Sequence, residues 1–244
     1  MRIEVLYPEI CNLYGDLFNV EYLGKCLPDA ELVHTALKDE PLFVSEFPDM
    51  VYMGTTTERG QQLAIECLDK YRDRIKECIE KGVPFLITGN ALEIFGKEIR
   101  EEGKKVCDGL GLFDIVADRK ARDRFNSLYL GTFTDESLDE PIKIVGFKSL
   151  FGFAEGNNKE QYFLMTERGT GLNPEVKEEG LRVNNFFATY VTGPFLVLNP
   201  PFTKWFMRHV LKVEDAEPAF KEAAMDAYES RVKEYSDPHT GITY

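Results

Sequence analysis

Apolar and polar positions alternate at the start of the chain and then change period. Ile3, Val5 and Tyr7 alternate with Glu4 and Leu6 before Pro8, which predicts a first strand. From Asp16 the spacing becomes helical, with Leu17, Val20 and Leu23 or Leu27 on one face. Strands are predicted over 31–37 and 50–53, the latter running into Gly54-Thr55-Thr56-Thr57. Leu63, Cys67, Tyr71, Ile75 and Cys78 share one face of a single long helix over 58–81, which Gly82 ends. Val83 to Ile87 is a short apolar run, the pattern of a strand buried on both faces. Thr88, Gly89 and Asn90 break it, and 91–95 reads as a helix with Asn90 as its N-cap.

This β-α-β-β-α-β order predicts a parallel sheet covered by helices on both faces. Ligands of such sheets sit at the carboxyl ends of the strands. The loops at 12–16, 54–58 and 88–90 are therefore expected around one pocket. Later strands are expected at 127–133, 142–147, 161–166 and 186–191, as an antiparallel extension. A helix is predicted at 201–211, with proline in its first turn. A final helix spans about 216–235, followed by a frayed tail at 236–244. No linker or repeat divides the chain, so 1–244 is read as a single domain.

Charge narrows the partners. The net charge of −13 argues against nucleic acid or an anionic membrane surface, because phosphate binding needs a basic face. No apolar run reaches the roughly 20 residues that span a bilayer. The N-terminus enters a strand without a signal peptide, so a cytoplasmic protein is expected. Five cysteines (Cys11, Cys26, Cys67, Cys78, Cys107) lack C-x-x-C spacing, which predicts reduced thiols and no metal site.

Four colinear stretches carry a resemblance. They are L-Y-P-E-I-C-N-L-Y-G-D-L-F-N (6–19), M-G-T-T-T-E-R-G-Q-Q (53–62), L-I-T-G-N-A-L-E-I-F-G (86–96) and E-G-L-R-V-N-N-F-F-A-T-Y-V-T-G-P-F-L-V-L-N-P (179–200). Shorter matches are G-L-G-L-F-D (109–114), G-F-K-S (146–149) and G-T-G-L-N (169–173). Together they resemble the class I glutamine amidotransferases of the cobyric acid synthase type, nearest to the amidotransferase subunit of lipid II isoglutaminyl synthase. The resemblance implies an α/β, flavodoxin-like fold with no cofactor. It also implies an elbow cysteine that attacks the glutamine amide, a histidine in T-Y-x-H-G-P that moves the proton, and ammonia delivery to a Mur-ligase-like synthetase. Such chemistry needs a thiolate, a base in reach and donors aimed at the oxyanion.

The sequence departs from that pattern where the chemistry depends on it. Gly89 stands at the cysteine position and Thr192 at the histidine position. Asn90 replaces the next elbow glycine, and Thr55-Thr56-Thr57 replaces a glycine-rich loop. His34, His209 and His239 fall outside the strand-end loops, so no base is placed beside Cys11 or Cys107. The expectation is a chain without glutaminase activity, acting as a binding or regulatory subunit. Asn90, Arg124, Thr55 and Thr192 are the candidate ligand contacts, with a small carboxylate as the ligand. Arg124 falls where the resemblance implies a carboxylate-binding arginine, and Arg122, two residues away, leaves the register open. The alternatives are an active amidotransferase or amide hydrolase with a relocated nucleophile, or a metabolite enzyme using Arg124, Asn90 and the carboxylates Glu93 or Asp16.

Overall fold

The computed structural model describes residues 1–120 and 122–242. Its strands are β1 (Arg2–Leu6), β2 (Glu31–Thr35), β3 (Met50–Met53), β4 (Phe85–Thr88), β5 (Glu98–Glu101), β6 (Lys104–Asp108) and β7 (Ile115–Arg119). They continue as β8 (Phe125–Phe133), β9 (Ile142–Leu150), β10 (Gly152–Gly156), β11 (Leu164–Arg168), β12 (Glu178–Glu179), β13 (Leu181–Val183) and β14 (Phe186–Thr189). The central six-stranded sheet has the order β13-β14-β4-β3-β1-β2. Its four pairings from β14 to β2 are parallel, and only the edge strand β13 runs antiparallel. The other strands form two four-stranded sheets, β10-β7-β5-β6 and β12-β11-β8-β9, largely antiparallel.

Side chains alternate across a strand, so each central strand feeds two cores. Val51, Met53, Phe85, Ile87 and Phe186 pack on one face against Ala64, Leu68 and Ile75. Ile3, Val5, Tyr52, Leu86 and Phe187 pack on the other, against Val20, Leu23, Phe195 and Phe202. β4 is buried along its whole length, as its apolar run predicts.

Several elements differ from the sequence reading. The helix expected at 58–81 is broken into Glu58–Leu68 and Arg72–Glu80 by a 3-10 turn at Asp69–Tyr71. At the break the Tyr71 ring meets Phe43 edge-on at 6.0 Å, and Arg74 Nε donates to the Phe43 carbonyl at 2.6 Å. The bend thus lets the second segment cover the short helix Leu42–Ser45, which periodicity missed. The strand expected at 161–166 lies at Leu164–Arg168. The 201–211 helix begins one residue earlier, as Pro200–Trp205, and closes as a π-turn, Phe206–Val210. The last helix is Lys221–Ser236. The tail is hydrogen-bonded rather than frayed through Ile242. Arg168 donates to the carbonyls of Tyr235, Asp237 and Thr240, and Leu128 N donates to Ile242 O. Residues 243–244 lie outside the described residues.

Candidate functional site

The elbow after β4 is built on Gly89, whose φ of +61° lies in the left-handed region. Glycine adopts that angle without a Cβ penalty. A Cβ at this position would lie 2.1 Å from Thr55 Oγ1 and 2.8 Å from Thr55 Cβ and Cγ2. The Thr55 side chain therefore fills the space into which a residue-89 side chain would project. Asp16 fixes it there: Thr55 N and Thr55 Oγ1 each donate to Asp16 Oδ2 at 2.8 Å. Thr88 Oγ1 donates to the same oxygen at 2.5 Å, and Asn19 Nδ2 donates to Oδ1 at 2.8 Å. The strand-end loops of β1, β3 and β4 are thus tied through one buried carboxylate.

The segment after Gly89 is a 3-10 helix, Gly89–Phe95, and Asn90 does not cap it. Instead, Asn90 Oδ1 accepts from Thr56 N at 3.0 Å and Asn90 Nδ2 donates to Thr56 O at 2.9 Å. Across the cleft, Thr192 pairs with Phe147 in an isolated antiparallel bridge. Its hydroxyl donates to the Phe147 carbonyl at 3.1 Å. Gly89, Thr55, Asn90 and Thr192 all line one cavity of about 180 Å³, together with Tyr14 and Ser149.

Arg124 does not line that cavity but bonds to two residues that do. Nε donates to Ser149 Oγ at 3.0 Å, and Nη2 donates to the Tyr14 hydroxyl. The guanidinium lies over the Phe151 and Tyr14 rings, at 5.3 and 5.8 Å. Arg122 is exposed.

Residues 2–200 match the CobB/CobQ-like glutamine amidotransferase domain. The chain belongs to the CobB/CobQ-like glutamine amidotransferase family. The Staphylococcus aureus lipid II isoglutaminyl synthase (glutamine-hydrolyzing) subunit GatD is 27% identical over 203 residues, 80% of this chain and 78% of the relative. The Streptococcus pneumoniae subunit of the same name is 24% identical over 243 residues, 97% and 91% of the two chains. Among solved structures, PurLQS from Thermotoga maritima superposes with a TM-score of 0.55 at 12% identity, covering 95% of this chain and 98% of that one. A crystal structure of a glutamine amidotransferase gives 0.50 at 15% identity, covering 86% and 99%. These two likenesses establish the fold.

Among the described residues, no thiol and imidazole meet at the cavity. Cys11 is buried, and burial pushes its thiol up to about 12. Burial likewise raises Cys78, to about 11, and Cys26, Cys67 and Cys107. A reactive cysteine needs the opposite shift. His34 is exposed, His209 stacks on Trp205 at 5.8 Å between centroids, and His239 pairs with Asp237 on the surface.

Two buried charged groups beside the elbow escaped the sequence reading. Arg119, at the end of β7, donates through Nη2 to Gln61 Oε1. Gln61 Nε2 in turn donates to Asn90 O at 2.6 Å and to Glu93 Oε2 at 2.9 Å. The Tyr190 hydroxyl donates to Glu93 Oε1 at 3.0 Å, so Glu93 braces the elbow and is not a free acid. Further in, Lys148 Nζ donates to Glu179 Oε2 and to the carbonyls of Thr170 and Gly171, at 2.9 and 2.7 Å. Only a charge ending an otherwise apolar strand run, as in I-V-A-D-R, could have flagged Arg119. G-F-K-S flagged Lys148 only as a match.

The buried carboxyls set a pH dependence. Burial pushes Asp16, Glu93 and Glu4 above the usual carboxylate range, against the hydrogen bonds they accept. The native state then holds protons that the unfolded chain has released. This contribution is full below the ordinary carboxylate values and is lost as pH rises through the raised native ones. Asp135, Glu217 and Asp237 are shifted down, and they lose their contribution only at lower pH. The thermal midpoint is therefore expected to rise as the pH is lowered from neutrality toward the ordinary carboxylate range. Relief of the −13 charge acts in the same direction. A flat or falling midpoint over that window would contradict the assignment.

Proposed function

We propose that this chain is an amidotransferase-like subunit that does not hydrolyse glutamine. It serves a Mur-ligase-like synthetase in the cytoplasm as a binding or regulatory partner, in an amidation of the cell-wall or cobalamin type. One observation carries this reading: the Thr55 side chain stands in the space of the missing residue-89 side chain. The raised thiols and the distant histidines support it. Losing a nucleophile costs about a million-fold in rate in a hydrolase whose parts act as a unit, and neighbouring hydroxyls do not recover that. Thr192 cannot act as a base near neutral pH, and its proton is already donated to a carbonyl.

The relatives named as glutamine-hydrolyzing lipid II isoglutaminyl synthase subunits favour a synthetase partner. Arg124, bonded to the lining residues Ser149 and Tyr14, suits retention of a small carboxylate. The test is glutamate release from glutamine by the purified chain, alone and with its synthetase. No release above the blank is expected, while the complex amidates its substrate with ammonium salts. Release that disappears on replacing one particular cysteine by serine would reveal a relocated nucleophile and overturn the reading.

A further inference from the structure

The two most exposed large apolar side chains among the described residues, Phe18 and Phe220, line one groove. They are 64% and 72% exposed. The groove, of about 870 Å³, lies between the helices Phe18–Cys26 and Lys221–Ser236, and the short helix Phe195–Leu198 packs against both. None of its lining residues lines the elbow cavity. Phe18, Glu21 and Lys25 follow one another on one outward face of the first helix, at helical spacing. Phe220 sits at the far end of that helix, because Ala219 is tied there. The Tyr22 hydroxyl donates to Ala219 O at 2.9 Å, and Ala219 N donates to Cys26 Sγ at 3.2 Å. Along the groove the order is therefore aromatic, acid, base, aromatic. Glu21 and Lys25 are one turn apart, yet neither makes an ion pair among the described residues. Phe220 holds a left-handed backbone at φ +54°, which a bulky side chain adopts only at a cost.

We propose that this groove is the contact between two copies of the chain, related by a twofold axis that crosses the helix Phe18–Cys26 between Glu21 and Lys25. Laying the helix against its copy in the opposite direction reverses the order of the groove. Phe18 then meets Phe220 of the copy, and Glu21 meets Lys25 of the copy. A twofold contact needs one patch that complements itself, and this order does so. A surface of one sign would repel its copy, as the net charge of −13 does elsewhere on the chain. The charged lining here is Glu21 against Lys25 and Arg231, so this patch is not acidic. Covering both rings of each copy supplies the apolar gain, and monomers rarely leave such a patch open. The inference does not depend on the loss of glutamine hydrolysis, and its readout is mass rather than turnover.

Sedimentation velocity of the full chain over about 1 to 100 μM tests it, and a monomer–dimer equilibrium with a Kd of about micromolar order is expected. Phe18→Ser and Phe220→Asn are both at exposed positions, and asparagine tolerates the left-handed backbone. Each should weaken the dimer by about tenfold or more. Glu21→Lys and Lys25→Glu should each weaken it too, because like charges then face each other across the axis. An equimolar mixture of those two variants should recover it, since opposite charges meet again at both contacts of the mixed dimer. A monomer throughout the range overturns the proposal, as does a dimer indifferent to Phe18→Ser and Phe220→Asn. A mixture no tighter than either charge variant alone also overturns it. So does a monomer that loses its synthetase on Phe18→Ser, which would give the groove to the synthetase.

Discussion

Gly89→Cys, which returns a thiol to the elbow, is expected to destabilise the protein by about 2–5 kcal/mol and to release no glutamate. Two terms add. A side chain at φ +61° costs about 1–2 kcal/mol. The new Cβ also cannot coexist with Thr55 Oγ1 at 2.1 Å, so Thr55 must swing away from Asp16. That strips a buried carboxyl of a donor, worth about 1–3 kcal/mol. Gly89→Ala should behave alike, because the conflict is at Cβ. Adding Thr55→Gly removes the clash but not the backbone strain, so it should recover only part of the loss. Glutamate release is expected from no variant that lacks Thr192→His, since a thiol without a base stays protonated. Urea denaturation checks the ranking. A wild-type midpoint for Gly89→Cys alone would show that Thr55 yields at no cost, and the site would no longer count as closed.

Lys148→Met is expected to cost about 3–5 kcal/mol. Lys148 and Glu179 are both wholly buried, with no exposed side-chain surface. Burial pulls the Lys148 ammonium below its usual range, and Glu179 opposes that pull. Removing the cation leaves Glu179 without its counter-charge in a dry interior, still accepting from Thr189 Oγ1 at 2.9 Å and Tyr190 N at 2.8 Å. The double variant Lys148→Met with Glu179→Gln should recover most of the loss. Its amide oxygen can still accept both bonds, and no unpaired charge remains. Additive losses in the double-mutant cycle would show that the two side chains do not act as a pair. Tyr190, held by Glu179, also holds Glu93, so the pair supports the elbow from behind.

The frame of this amidotransferase domain was open to reading because its signals are local. β3 is bounded as its four apolar residues suggest, and β1 and β4 differ only at their ends. Hydrophobic period reports which face of a strand or helix is buried, and it needs only neighbours along the chain. The motif stretches singled out Gly89 and Thr192, and the two positions line one cavity. Period failed where tertiary contacts choose among similar local states. The bend at Asp69–Tyr71 and the 3-10 elbow are such places.

By itself, then, the sequence determined the parallel-centred fold and that glycine and threonine stand at 89 and 192, where the resemblance expects a cysteine and a histidine. Only the folded chain decided what occupies the vacated space. Thr55 reaches Asp16 across 39 residues and Thr88 reaches it across 72, so no periodicity records their meeting. The same holds for Arg119 with Gln61, 58 residues apart, and for Lys148 with Glu179, 31 apart. A buried polar side chain is stable only when its partners arrive from elsewhere in the chain, and loop closure rather than local propensity brings them there.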